Sequence, residues 1–277
     1  MAAPQQQPLP PLTKEEVFPH GYSLEIGKNN ARVELDKIKC SDPSCQIAVE
    51  LLKAHKCRNL LDSSDTIPEL YIHQFWDTFT LSSDDEYFTI QLDRKRIRVT
   101  PYHLRKALDL PDAPETSNQF YPTPSESEIM QFLVDIGYDV QPDTPLTKIS
   151  KVNAKYIPQP WRTIFYIITR SISGRDSGYE HPRLSHLQVF WGFVNQEKID
   201  FAALIWEDIL FQMRKAFKQI PFVRYTKVLI SYLLDLHKDI DRRPTDREVH
   251  PYMLDKTFRK VYFPKGSTHK QGTRLPV

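Results

Sequence analysis

The chain has 277 residues, 40% hydrophobic, 26% charged and 12% aromatic, which is enough apolar material for one large core or two small ones. With 37 Lys and Arg against 35 Asp and Glu, the net charge of +2 excludes a global pull toward nucleic acid or anionic membrane, so any such affinity must be local. A mean hydropathy of −0.49 with 22 prolines and 8 glycines predicts a helical protein with proline-punctuated loops, and argues against a Gly-rich phosphate-cradling or barrel enzyme.

Residues 1–20 begin with Pro4, Gln5, Gln6, Gln7, Pro8, Pro10 and Pro11, a composition that cannot offset chain entropy by burial and predicts a disordered tail. Cys40, Cys45 and Cys57 lie close together without a leading apolar segment that would mark secretion, which predicts free thiols in a reducing compartment. Ile47, Leu51 and Ala54 recur at helical spacing, as do Ile72, Phe75, Trp76 and Phe79. The period then changes to two: Phe88, Ile90 and Leu92 alternate with polar residues, and Ile97 and Val99 do so beyond Asp93-Arg94-Lys95. This predicts a small β-hairpin over about residues 87–99.

Thr100-Pro101 reads as the start of a helix carrying Leu104, Ala107 and Leu108, ended by Pro111. After the proline-rich stretch 112–124, Ser125-x-x-Glu128 is a capping-box signature ahead of Ile129, Phe132, Leu133 and Ile136, and Gly137 supplies the stop. Residues 140–160 hold four prolines and divide the chain into two lobes of one domain. Beyond them four apolar stripes predict four helices packed as a bundle. They run through Trp161 to Ile172, closed by Gly174; Leu184, Leu187, Trp191 and Val194; Ile199 to Phe217; and Tyr225 to Leu236. The expected fold is therefore mainly α, a multi-helix bundle-like domain over residues 21–262 with one hairpin, followed by a flexible end at 263–277. Trp76, Trp161, Trp191 and Trp206 read as core anchors. No run reaches the roughly 18 apolar residues needed to span a bilayer, so an intracellular protein, cytoplasmic or nuclear, with no membrane partner is expected.

Spacing argues against several chemistries. Cys40, Cys45, His55 and Cys57 are soft ligands close in sequence, yet nine residues separate Cys45 from His55, and His55 and Cys57 fall on different faces of a helix; no metal site is expected. Asp176-Ser177-Gly178 spells the aspartic-protease triplet without flanking apolar strands, and reads as a polar turn. Asp84-Asp85-Glu86 leads into a strand, with Phe88 where a one-turn-away carboxylate would be needed to bind magnesium. No nucleophile elbow, phosphate loop or His-Glu-x-x-His pair is present, so no catalytic residue, cofactor or small-molecule substrate is assigned. His73, His103, His181, His186 and His250 leave a dispersed enzyme site as the remaining enzymatic alternative. Arg94, Lys95, Arg96, Arg98, Arg105 and Lys106, interleaved with Tyr87, Tyr102 and His103, form a candidate nucleic-acid-binding patch for RNA or DNA. The competing reading is a solvated hairpin whose charges discourage edge pairing. Lys256, Arg259, Lys260, Lys265, Lys270 and Arg274 form a weaker second basic segment.

Five strings then act together: Asp65-Thr-Ile-Pro-Glu-Leu-Tyr-Ile-His-Gln-Phe-Trp76, Gln159-Pro-Trp-Arg162, Arg183-Leu-Ser to Phe190-Trp-Gly192, Ile199-Asp-Phe to Ile205-Trp-Glu-Asp208, and Arg224-Tyr-Thr-Lys227. In this order, over about residues 60–240, they resemble the gag-like N-terminal region of plant LTR-retrotransposon polyproteins of the copia type. The resemblance implies a non-enzymatic structural protein of a transposable element that self-associates around element RNA. It attaches no catalytic role to any of the five strings.

Overall fold

The protein is described here from a computed structural model covering residues 10–38, 43–112, 120–138 and 148–254. It is mainly α, with ten helices and seven short strands among the described residues. In chain order, α1 (Lys14–Val17) and β1 (Glu25–Ile26) precede α2 (Pro43–Ala54), α3 (Asn59–Asp62), β2 (Ile67–Pro68) and α4 (Glu69–Asp77). The strands β3 (Thr80–Leu81), β4 (Phe88–Leu92) and β5 (Lys95–Val99) follow, then α5 (Pro101–Ala107) and α6 (Glu126–Asp135). The second half contains α7 (Trp161–Ile172), α8 (Leu184–Asn195), α9 (Phe201–Met213), β6 (Gln219–Ile220), α10 (Val223–Leu236) and β7 (Glu248–Val249).

Local chemistry fixes several boundaries. Ser125 and Glu128 close the expected capping box on α6, with Ser125 N–H donating to Glu128 Oε2 at 2.7 Å. The helix stops at Gly137, whose φ of +85° suits a residue without a Cβ. Thr100 and Pro101 open α5 as expected, but the helix ends at left-handed Asp109 rather than at Pro111. The disordered tail expected at 1–20 is not seen over residues 10–20. Thr13 and Glu16 form a second capping box on α1, Phe18 is buried, and only residues 1–9 of that tail lie outside the described part. The flexible end expected at 263–277, the segment 139–147 and Cys40 also lie outside it. Cys45 is disulfide-bonded, contrary to the expectation of free thiols, while Cys57 is free and buried.

The core is one buried cluster running from Phe18 to Ile240 through both sides of the proline-rich boundary. In the second half, α8 packs on α7 and α9, but α10 leaves the expected four-helix set and packs chiefly on α4 and α5. Conversely α2, from the first half, packs on α7 and α8. Two ladders stitch the halves: β1 pairs in parallel with β6, and β2 antiparallel with β7. Periodicity identified the helices but sometimes the wrong face. In α2 the buried stripe is Cys45, Ala48, Val49 and Leu52, with Ile47 exposed, because α7 and α8 sit against the neighbouring side. Trp191 is only half-buried, covered in part by Tyr121, and Leu236 at the end of α10 is exposed. Gly174 is not a left-handed helix stop; a Cβ there would lie 2.5 Å from the Phe222 ring, so close packing is its reason.

The interior is polar where helices end. Arg224 is 1% exposed and donates from Nη1 to Ser63 O (2.7 Å), from Nη2 to Leu60 O (2.8 Å) and Ser171 O (2.9 Å), and from Nε to Asn30 O (3.2 Å). These acceptors are carbonyls at the C-terminal ends of α3 and α7 and in the loop that crosses them, groups that a helix leaves without intrahelical partners. Asp208 on α9 is buried against Arg183 and, at 3.3 Å, His186. Burial pushes its carboxyl up, but those two partners outweigh burial and hold it low. Burial pushes Lys227 down to about 8, where Nζ donates to Val249 O at 3.2 Å.

Trp206 is 5% exposed and stacks on Phe88 with ring centroids 4.9 Å apart, joining α9 to the sheet. Trp206→Ala is expected to destabilise the fold by about 3–5 kcal/mol in a urea titration; an unchanged midpoint would show that this stack contributes nothing. His55 provides a second test. It lies between Phe193 and Phe201, its Nδ1 accepts from Cys57 N–H at 3.0 Å, and burial holds its pKa at about 4. The unfolded chain takes up this proton near pH 6.5 and the folded one does not, so its stabilising contribution is complete above pH 6.5 and is lost as pH falls toward 4. Between pH 7 and pH 5 the loss should be about 2 kcal/mol. His55→Gln should flatten that part of the stability profile, read from urea midpoints at the two pH values; equal slopes in the two proteins would contradict the assignment.

Candidate nucleic-acid interface

The expected hairpin is real and larger than expected. β4 and β5 pair from Phe88↔Val99 to Leu92↔Lys95, and β3 adds a third strand beside β4. Apolar alternation sets which face is buried: Phe88, Ile90, Leu92, Ile97 and Val99 point into the core. Their neighbours Thr89, Gln91, Arg96 and Arg98 therefore share the outer face, with Gln91 opposite Arg96 and Thr89 opposite Arg98. The turn is held from beneath by Gln74 of α4, itself 1% exposed. Its Oε1 accepts from Asp93 N–H (2.8 Å) and its Nε2 donates to Asp93 O (2.9 Å). Asp93 takes φ +50°, and its Oδ1 accepts from Leu12 N–H at 2.7 Å. A buried amide thus fixes the tip on which Arg94 stands.

The six basic residues do not form one patch. Lys95 lies on the core-side edge of β5 and pairs with Asp239 at 2.9 Å, and that hydrogen bond lowers the Asp239 pKa. Arg105 reaches Asp200 at 2.6 Å, which also caps α9 through Ala203 N–H, while its guanidinium lies 4.6 Å from the Phe120 ring centroid. Lys106 pairs with Asp112 at 2.7 Å, and this hydrogen bond raises the lysine and lowers the aspartate. Arg94, Arg96 and Arg98 remain exposed without an ion pair among the described residues. Arg98 stacks 3.8 Å over the Tyr87 ring, and Arg94 makes only a 3.5 Å contact with Pro10 O. The cationic surface is therefore the outer face and tip of β5, whereas the three other cations are engaged by aspartates. The weaker basic segment at 256–274 lies outside the described residues.

The remaining acidic motifs lie in turns. Asp176 follows α7 in a turn with Gly178 at φ +73°, and its Oδ1 accepts from Asn29 Nδ2 at 3.0 Å. Asp84 to Glu86 occupy the β3–β4 turn, where Asp85 pairs with Arg214. No group of three His, Cys, Asp or Glu placed to hold a metal occurs among the described residues, and none of their helices is long and apolar enough to cross a membrane.

Sequence reasoning missed two groupings. One is the buried Arg183–His186–Asp208 cluster, and the other is an open cleft of about 360 Å³ lined by Gly174, Arg175, Asp176, Gln212, Ala216, Phe217, Lys218 and Gln219. Both assemble residues from separate segments, Asp208 of α9 joining the first turn of α8 in one case and the end of α7 meeting residues 212–219 in the other. No family model, curated protein or solved structure matches the chain.

Proposed function

We propose that the chain is a non-enzymatic, gag-like structural protein of a plant LTR retroelement that engages single-stranded RNA through the outer face of its three-stranded sheet and self-associates along it. The retroelement assignment rests on the resemblance of five sequence strings. The observation that carries the RNA contact is the exposed row Arg96 and Arg98 with Arg94 at the tip, in a sheet whose other nearby cations are consumed by Asp112, Asp200 and Asp239. Tyr87 beside Arg98 supplies a planar group on the same surface. Cations that follow a phosphate backbone, next to an aromatic that accepts any base, make a sequence-tolerant platform. Of the five histidines of the enzymatic alternative, His73 and His186 are occupied in the interior by Tyr22 and Asp208 respectively.

Static light scattering with and without RNA tests the structural reading: higher-order assembly promoted by RNA is the expected result, and a monomer unaffected by RNA overturns it. The interface is tested separately. Replacing Arg94, Arg96 and Arg98 with Ser should weaken RNA binding without changing the urea midpoint, and log affinity against log salt should flatten by roughly 0.7 per arginine removed. An unchanged affinity and salt slope would reduce the face to a solvated hairpin.

A further inference from the structure

The cleft missed by sequence reading lies where the end of α7 meets the segment between α9 and β6. Two of its lining residues, Arg175 and Lys218, are cations with no carboxylate ion-pair partner among the described residues. Arg175 is held in place from behind: its Nη1 donates to His181 O at 3.2 Å and its N–H to Ser173 Oγ at 3.2 Å. Phe217 is half-buried, with its position fixed by an edge-to-face contact to Trp76 at 5.6 Å. Gln212 accepts from Arg183 through Oε1 at 3.4 Å, which orients the amide so that its Nε2 has no partner among the described residues. Asp176 is oriented by Asn29 Nδ2 at 3.0 Å.

This donor and acceptor set has a definite chemical complement. Two cations call for an anion, and a guanidinium with an ammonium is the usual pair for a phosphate. An aromatic wall takes a planar ring, and a carboxylate beside an amide takes the amino edge of a base. At about 360 Å³ the cleft stands at the small end of the range of about 300–1,000 Å³ for ligand pockets, which suits one nucleotide rather than two. We propose that this cleft is a binding site for a single nucleotide, its phosphate on Arg175 and Lys218, its base against Phe217, and its exocyclic amine toward Asp176. Two sources share this chemistry: a free nucleoside monophosphate, and the 5′-phosphorylated end of an RNA strand. The site does not depend on the sheet face.

Calorimetric titration of the full chain with AMP, adenosine, inorganic phosphate and UMP tests the assignment. AMP is expected to bind at one site per chain, with adenosine and phosphate each far weaker, and UMP weaker than AMP because it lacks the amine. Lys218→Glu, at an exposed position, should weaken AMP roughly tenfold, and Phe217→Leu should also weaken it, both with circular dichroism unchanged. The Ser substitutions at Arg94, Arg96 and Arg98 should leave AMP binding intact, which separates this site from the sheet face. Competition by a 5′-phosphorylated octanucleotide but not by its unphosphorylated form would identify a strand end as the source; failure of both to compete would identify the free nucleotide. No saturable AMP binding, phosphate binding as tightly as AMP, or full AMP affinity in Lys218→Glu would each overturn the proposal.

Discussion

The guanidinium of Arg224 is the constraint around which this fold is arranged. The helix α7 ends inside the protein, where its last carbonyls have no water to accept from, and α3 ends half-buried beside it. One planar group with five N–H donors satisfies carbonyls at both ends and the loop between them. Asn30 completes the arrangement. Its left-handed backbone lets N–H reach Ser173 O, its Oδ1 accepts from Tyr225 N–H, and its Nδ2 donates to Ser171 O. No lysine can reproduce a fork that serves four acceptors, and no apolar residue can satisfy any of them, so the stretch from Arg224 to Lys227 is a structural string before it is anything else.

The same logic accounts for three of the other strings on which the family resemblance rests. Trp76 donates from Nε1 to Thr226 Oγ1 at 3.1 Å, Gln74 holds the hairpin turn, and Arg183 meets Asp208. Each joins separate elements through a buried or part-buried polar contact with a demanding geometry. Buried networks of this kind specify one arrangement of helices over its competitors, because a half-satisfied version costs more than an apolar core.

How much was legible follows from the range of the interaction involved. The α6 capping box, the two-residue period of β4 and β5, and the outward direction of Arg96 and Arg98 are local, and sequence alone placed them. The face of α2 was not legible, since Ile47-Leu51 and Ala48-Leu52 both satisfy a helical period and only the position of α7 decides between them. The same holds for α10, whose stripe says that it is buried but not that it is buried on α4 and α5. In the basic cluster, Asp112 is six residues from Lys106, whereas Asp200 and Asp239 approach Arg105 and Lys95 from elsewhere in the fold. Charge counted along a chain therefore overstates the charge available on a surface.

The parallel pairing of β1 with β6 has a consequence for how the chain is made. Residues 25 and 26 find their strand partner at 219 and 220, and Asn29 and Asn30 find theirs at Ile220, Arg224 and Tyr225. On a ribosome the amino-terminal segment is finished long before its partners exist, so α3 and α7 wait with uncapped carbonyls until nearly all of the core sequence has emerged. Contacts of such long range slow folding and leave apolar surface open while they form. The late-arriving α10, with β7 after it, closes these contacts, and a nascent chain halted before them would leave apolar surface open to aggregation.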